Sequence, residues 1–410
     1  MSQDRIVSTV FMLGSAQTIA WASSYYLPAI LATPIARDLG VATSSVFAAF
    51  SLALLVSALL SPFAGRSIDR WGGRKVLPCS NLIFGAGLTT LALAQGPTGL
   101  IAAWIVIGIA MGSGLYEAAF ATLVRLYGRD AHNGITGVTL IAGFASTIGW
   151  PLSTLLEGQF GWRDTCLARA GLHFILGLPL NAFLPRIALV TPANVDGEHA
   201  AAGEVQANSP PNTENLLAAA MLAFVFAATW FVSTAMAAHL PRLLMLQGVT
   251  LAVAVTAGAL VGPAQVGGGL LEFGLLRRVH PLLSARLAAI AHPIGVLVFL
   301  TAGAPLAFAF VILHGAGNGI LTIAIGTLPL ALFGPHDYGR RQGLLMVPAR
   351  IAQALAPLLF GLCLDRWGGR ALWLSAALGV LAFALLLMLP RAIRHGEAVS
   401  QSNRSDNGTA

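Results

Sequence analysis

Two charged side chains, Glu117 and Arg350, fall in the middle of long apolar stretches. An ionisable group at bilayer depth costs at least about 3 kcal/mol, so each needs a partner or a task. Glu117 precedes Arg125 by eight residues and Arg350 follows Arg341 by nine. On helices of opposite direction, both would lie about 12 Å in from the same side. Three chemistries are open. The two can form an ion pair that makes and breaks; Glu117 can carry a proton while Arg350 holds an anionic solute; or each can be satisfied separately by backbone and hydroxyl groups.

Polar and aromatic residues recur at helical spacing in other apolar runs. Gln17, Trp21 and Tyr25 stand four apart and share one helix stripe, and Ser113, Tyr116 and Phe120 share a face near Glu117. His314 and Asn318 form a third such pair. These stripes are candidate solute contacts, with ordinary packing as the competing reading. His239 is expected at the membrane interface. The histidines are dispersed and no His-Glu-x-x-His occurs, so a catalytic constellation is not legible. No Gly-x-x-x-x-Gly-Lys-Ser/Thr phosphate loop is present, and Cys79, Cys166 and Cys363 are too scattered to suggest a metal site.

The elements that must position these groups are membrane helices. The 410 residues are 56% apolar and 10% charged, against about 25% charged in an ordinary soluble protein. Apolar windows long enough to cross a bilayer predict twelve spans, at about 8–32, 42–64, 76–96, 99–125, 133–158, 165–185, 215–240, 249–271, 284–303, 305–332, 342–364 and 371–390. The fold class is therefore an all-α integral membrane protein. Residues 187–214, with Asp196, Glu198, Glu204 and Pro210-Pro211, read as a cytoplasmic linker. It separates one six-helix bundle, 1–186, from a second, 215–394, and 395–410 reads as a disordered cytoplasmic tail.

The net charge of +7 sits at the ends of apolar runs, a pattern of membrane orientation rather than of nucleic-acid binding. With the N-terminus inside, sixteen Lys and Arg residues fall on the cytoplasmic side and six on the other, so both termini are expected in the cytoplasm.

The halves repeat each other. Gly112-Ser113-Gly114 meets Gly315-Ala316-Gly317 at a shift of 203 residues, as Gly65-x-x-x-Asp69 meets Gly268-x-x-x-Glu272. Parallel repeats of this kind suit alternating access, with a solute site between the halves near the midplane. The fifth span, with Gly143 to Pro151, and the eleventh, with Pro348 and Pro357, are rich in small residues or prolines and are expected at the moving interface.

Between the second and third spans, Gly65-x-x-x-Asp69-Arg70-x-Gly72-x-Arg74-Lys75 resembles the signature loop of the major facilitator superfamily, bacterial type. The resemblance implies two six-helix bundles and a cytoplasmic loop whose acidic residue latches the bundle interface in one access state. It also implies a cavity lined by helices one, four, seven and ten. Gly268 and Glu272 form a worn second copy that lacks the Asp-Arg pair. The look-alike Gly361 to Arg370 falls on the outer side, which favours a local helix-end role over a latch.

The expected function is a secondary active transporter in the inner membrane. It would move a small organic solute, an organic anion or drug-like compound, as a monomer, with a proton gradient and no cofactor or metal. Uptake and efflux are both open. A membrane-embedded enzyme or sensor is the alternative from another class.

Overall fold

In the computed structural model the backbone is described for residues 3–127, 131–185, 216–274, 281–333 and 338–407. Side chains are described for these except 3–5, 69, 124, 131–133, 136, 273, 326, 327, 330, 331, 338–343 and 390–407. The linker 187–214 and Asp69's side chain thus lie outside the described residues. Every described regular element is a helix.

The first span is two helices, α1 (Gln3–Ser23) and α2 (Pro28–Asp38), bent where Pro28 opens the second. Helix α3 (Thr43–Trp71) runs 29 residues, about 44 Å at 1.5 Å per residue, and so exceeds a hydrocarbon core of about 30 Å. Its last two turns carry Gly65 to Arg70. The expected loop is therefore mostly helix: only Gly72, at φ 84°, separates α3 from α4 (Gly73–Ala92). A left-handed backbone at Gly72 is one that glycine adopts without a Cβ penalty. The fourth span breaks at Leu115 into α5 (Pro97–Gly114) and α6 (Tyr116–Tyr127). Helices α7 (Ala131–Ala142) and α8 (Ala145–Leu172) follow, and α8 bends at Gly161, φ 81°, before a π turn and α9 (Leu178–Ala182).

The second half begins with α10 (Leu216–Leu246), then α11 (Leu251–Ala259) and α12 (Val261–Gly274). Helix α13 (Pro281–Ala302) ends at Gly303, φ 71°, before a short 3-10 turn and α14 (Ala307–Phe333). Helices α15 (Tyr338–Trp367) and α16 (Leu372–Asn407) close the chain. The backbone stays helical through Asn407, where the sequence suggests disorder from His395; Glu397, Ala398 and Gln401 favour helix there.

The internal repeat is visible as packing. A Cβ on Gly112 would sit 2.8 Å from the Ser57 carbonyl oxygen, and one on Gly108 2.6 Å from that of Ala53, so α5 lies backbone to backbone on α3. A Cβ on Gly315 would likewise sit 2.8 Å from the Val261 carbonyl oxygen, placing α14 on α12. Small residues permit this approach in lipid, where dispersion rather than water exclusion drives helix association.

Nine stretches among the described residues are long and apolar enough to cross a membrane. Large apolar side chains such as Leu59, Leu93, Ile175 and Phe183 are exposed around the bundle. In water such a surface invites aggregation; in lipid it is the solvated face. The chain is a multi-pass membrane protein.

The buried cores show how the halves meet. At the end bearing the 65–75 turn, Leu13, Ile68, Leu77 and Leu123 form a cluster drawn, among the described residues, from the first half alone. Leu222, Leu282, Leu328 and Leu386 form one drawn, again among the described residues, from the second half alone. At the opposite end the cores intermix: Ala237, Ala238 and Ala354 join Phe50 and Trp104, while Trp150 joins Phe299, Phe310 and Phe360. The halves are therefore sealed together at the far end and separately cored at the turn end.

Candidate functional site: a central cavity between the halves

A cavity of about 530 Å³ lies between the halves, lined from both. Its first-half wall includes Trp21, Tyr25, Ser57, Tyr116, Glu117 and Phe120; its second-half wall includes Trp230, Gln265, Asn318, Arg350 and Gln353. Aromatic rings dominate one side. Trp21 lies 4.9 Å from both Tyr25 and Tyr116, centroid to centroid, and Tyr116 stacks on Phe120 at 5.2 Å.

Across this space Arg350 Nη2 donates to Glu117 Oε1 at 2.5 Å, joining α15 to α6. Arg350 Nη1 donates to Gln353 Oε1 at 3.0 Å, one turn along α15, and the guanidinium lies 5.7 Å from the centre of the Trp230 ring. The Glu117 and Arg350 side chains are 47% and 42% exposed, so the pair stands in the cavity rather than in a packed core. Both ends remain accessible to a solute or a proton.

The far end of the cavity is closed by polar contacts between halves. The Tyr25 hydroxyl lies 2.5 Å from Thr234 Oγ1, and Thr234 donates to the Trp230 carbonyl, which directs the hydroxyl pair. Ser51 Oγ accepts from the Leu358 amide at 3.3 Å across the junction, and within the first half Trp150 Nε1 donates to the Tyr26 carbonyl. The fifth and eighth spans approach at small residues: Thr147 Oγ1 donates to the Ala259 carbonyl, and a Cβ on Gly262 would collide with Gly143 and Thr147.

The sequence-derived candidates separate into groups. Trp21, Tyr25, Tyr116, Glu117, Asn318 and Arg350 line the cavity together. Gln17 does not. It is 1% exposed, and Nε2 donates to the Gly114 carbonyl at 2.6 Å. The cause is the break at Leu115: Ala118 and Ala119 both donate to the Leu115 carbonyl, which leaves the Gly114 oxygen for Gln17. His314 is buried behind the cavity, 3.0 Å from His292. His239 is fully buried, not interfacial, because α10 continues past it to Leu246. Its Nε2 meets the Pro357 carbonyl and its ring lies 3.9 Å from Phe47 of the other half.

At the 65–75 turn, Arg125 Nη1 donates to the Ile68 carbonyl at 2.6 Å and Arg74 Nη1 to the Leu184 carbonyl at 3.2 Å. The guanidinium of Arg70 lies 5.5 Å from the centre of the Trp71 ring, and Lys75 is exposed. A Cβ on Gly65 would meet no atom within 4 Å, so close helix approach is not its role in this conformation. Gly268, in the worn copy, does serve close packing, against Ala316, and Glu272 beside it is buried. In the look-alike segment Asp365 accepts from Arg242 at 2.7 Å, joining α15 to α10 within one half, as a helix-end clamp.

Gln353 and Trp230 line the cavity and Thr234 is buried at its closed end; the sequence reading missed all three. Gln353 falls three residues after Arg350, and Trp230 and Thr234 stand four apart on the seventh span, which is signal of the same kind as the stripe on the first.

A two-walled cavity sealed at one end, between two similarly packed helical halves, is the architecture of a secondary transporter. The family model of the Major Facilitator Superfamily matches residues 13–312, and the chain belongs to that family. It is 27% identical over 365 residues, 89% of this chain and 90% of the relative, to an uncharacterised 38 kDa protein in the 23S RNA operon of Thermoproteus tenax. It is 24% identical over 145 residues to the purine ribonucleoside efflux pump NepI of Salmonella typhimurium, covering 35% of this chain and 36% of that one. Among solved structures, a bacterial homologue of the human lysosomal transporter Spinster, inward-facing and unoccupied, superimposes with a TM-score of 0.72 at 14% identity, over 97% of this chain and 99% of that chain. A mutant of the nucleoside transporter NupG gives a TM-score of 0.73 at 15% identity, over 94% and 99%.

Proposed function

We propose that this transporter moves a small aromatic organic solute bearing hydrogen-bond acceptors across the inner membrane, coupled to protons through Glu117. The observation that carries the reading is the exposed Glu117–Arg350 pair inside an aromatic cavity. Protonating Glu117 removes one partner of the bridge and frees the Arg350 fork for a carboxylate or carbonyl oxygen of the solute. Proton and solute are thereby linked through one side chain. Trp21, Tyr116 and Trp230 offer ring faces, and Asn318 and Gln353 offer amide groups to the edge of a planar ligand. Nucleosides, the cargo named for NepI and NupG, fit this chemistry, as do aromatic carboxylates.

The reading includes the topology. Two of the nine apolar stretches run 46 residues, about 69 Å of helix, enough for two crossings each, and α4 supplies a further one. That makes twelve crossings with both termini in the cytoplasm, and the separately cored turn end faces the cytoplasm. The test is flux of labelled adenosine and of benzoate into proteoliposomes under an imposed pH gradient. Accumulation that follows the gradient supports the reading; flux indifferent to the gradient overturns the coupling.

A further inference from the structure

Behind the second-half wall of the central cavity, His314 on α14 and His292 on α13 face each other, with their Nδ1 atoms 3.0 Å apart. His292 Nε2 lies 3.0 Å from Ser375 Oγ of α16, and Ser375 donates its own proton to the Leu372 carbonyl at 2.8 Å. One arrangement of protons satisfies all three contacts together. With its hydrogen already given to Leu372, Ser375 Oγ accepts here, so His292 Nε2 carries a hydrogen. A neutral His292 then has its lone pair on Nδ1, and His314 must supply the Nδ1 hydrogen. His314 Nε2 is left as the lone pair.

His314 lines a small cavity of about 30 Å³, close to the volume of one water molecule. Thr229, Ser233 and Asn318 line both this space and the central cavity, so the two adjoin. Pro293 has no amide hydrogen, which frees the Ala289 carbonyl, and Ala289 also lines the small space. A water there has hydroxyl, amide and carbonyl partners.

We propose that the His292–His314 pair is a proton-accepting site of the second half, with His314 Nε2 taking its proton from the central cavity through one bridging water. The bridging water gives a proton to Nε2 and receives one from cavity solvent; no heavy-atom bond changes. The resulting imidazolium donates from Nδ1 to His292 and from Nε2 to the water, so both of its N–H groups are satisfied. The groups facing the pair are uncharged among the described residues: Thr229 and Ser233 from α10, Asn318 from α14, and Ser375 from α16. Arg286 on α13 and Arg350 on α15 are engaged elsewhere, Arg286 with the Leu386 carbonyl and Arg350 with Glu117 and Gln353. A second proton site in the other half gives the transporter a place to hold a proton when Glu117 is paired. That coupling role rests on the proton-driven reading above; the proton site itself does not.

The test is nitrogen NMR of the full-length protein labelled at histidine, with the two signals identified by their loss in His292→Gln and His314→Gln. The expected result is a neutral His314 protonated at Nδ1, a neutral His292 protonated at Nε2, and conversion of His314 to imidazolium on acidification while the protein stays folded. A His314 protonated at Nε2 at neutrality, or one that stays neutral until the protein unfolds, overturns the site. In proteoliposomes with adenosine as the probe, His314→Gln is expected to lower the ratio of gradient-driven accumulation to solute exchange. An unchanged ratio overturns the coupling role. A wild-type protein without gradient-driven flux refutes proton coupling as a whole, and the NMR result still decides the site.

Discussion

The Tyr25 hydroxyl and the Thr234 hydroxyl, on the first and seventh spans, meet at 2.5 Å across the junction of the two halves. Both side chains are buried, and Gln353 of the eleventh span lines the same cavity as Tyr25. The first and seventh spans thus meet through one phenol at the sealed end of the cavity. Tyr25→Phe removes the hydroxyl and keeps the ring against Trp21 and Phe50. A neutral hydrogen bond contributes about 1 kcal/mol, so the balance should move roughly fivefold away from the sealed-end conformation. Spin-label distances across that end should broaden towards longer values. A distribution identical to the wild type would remove Tyr25 from the closure.

Glu117→Gln separates transport from stability. Both partners of the bridge are more than two-fifths exposed, so screening discounts the pair to about 0.5 kcal/mol and the melting temperature should barely move. Proton-driven accumulation should nonetheless vanish, because glutamine takes up no proton at this position. The exchanged pair Glu117→Arg with Arg350→Glu should restore part of any activity that single charge reversals lose. Wild-type coupling in Glu117→Gln would refute the proton role, and no recovery in the exchanged pair would argue against the bridge.

The aromatic wall predicts selectivity. Trp21 contacts Tyr25 and Tyr116 and faces the cavity. Trp21→Ala should weaken binding of an aromatic solute by about 1 kcal/mol, roughly fivefold in affinity. Competition by an aliphatic carboxylate should be less affected. Calorimetric titration of both solutes reads the difference, and equal losses would mean that Trp21 only shapes the wall.

What was legible in the sequence was whatever depends on composition and spacing along one helix. Glu117 and Arg350 could be matched because depth follows from residue count, and the glycine repeat could be matched because close packing leaves a fixed spacing in both halves. Rotation about the helix axis was less legible. Gln17 shares a stripe with Trp21, yet the broken fourth span offers it a free carbonyl that the cavity does not. The same holds for His292, whose partner lies on the next span and is fixed by how α13 and α14 turn towards each other. The turn at 65–75 was legible as chemistry but not as shape, since nothing in its letters shows that α3 continues to Trp71.

Gly65 gives the prediction that most directly tests two access states. In this conformation a Cβ there meets nothing within 4 Å, and the residue lies on the last turns of α3, at the end where the two halves have separate cores. Gly65→Leu should therefore fit the present state without a clash, apart from a small gain in helix propensity of about 1 kcal/mol. Alternating access requires that end to close, and a leucine at the seam would then obstruct the approach of the second half. The expected outcome is an unchanged or slightly raised melting temperature together with lost flux. Thiol accessibility should show the protein held with the turn end open. Wild-type flux in Gly65→Leu would mean that the halves never approach at this glycine.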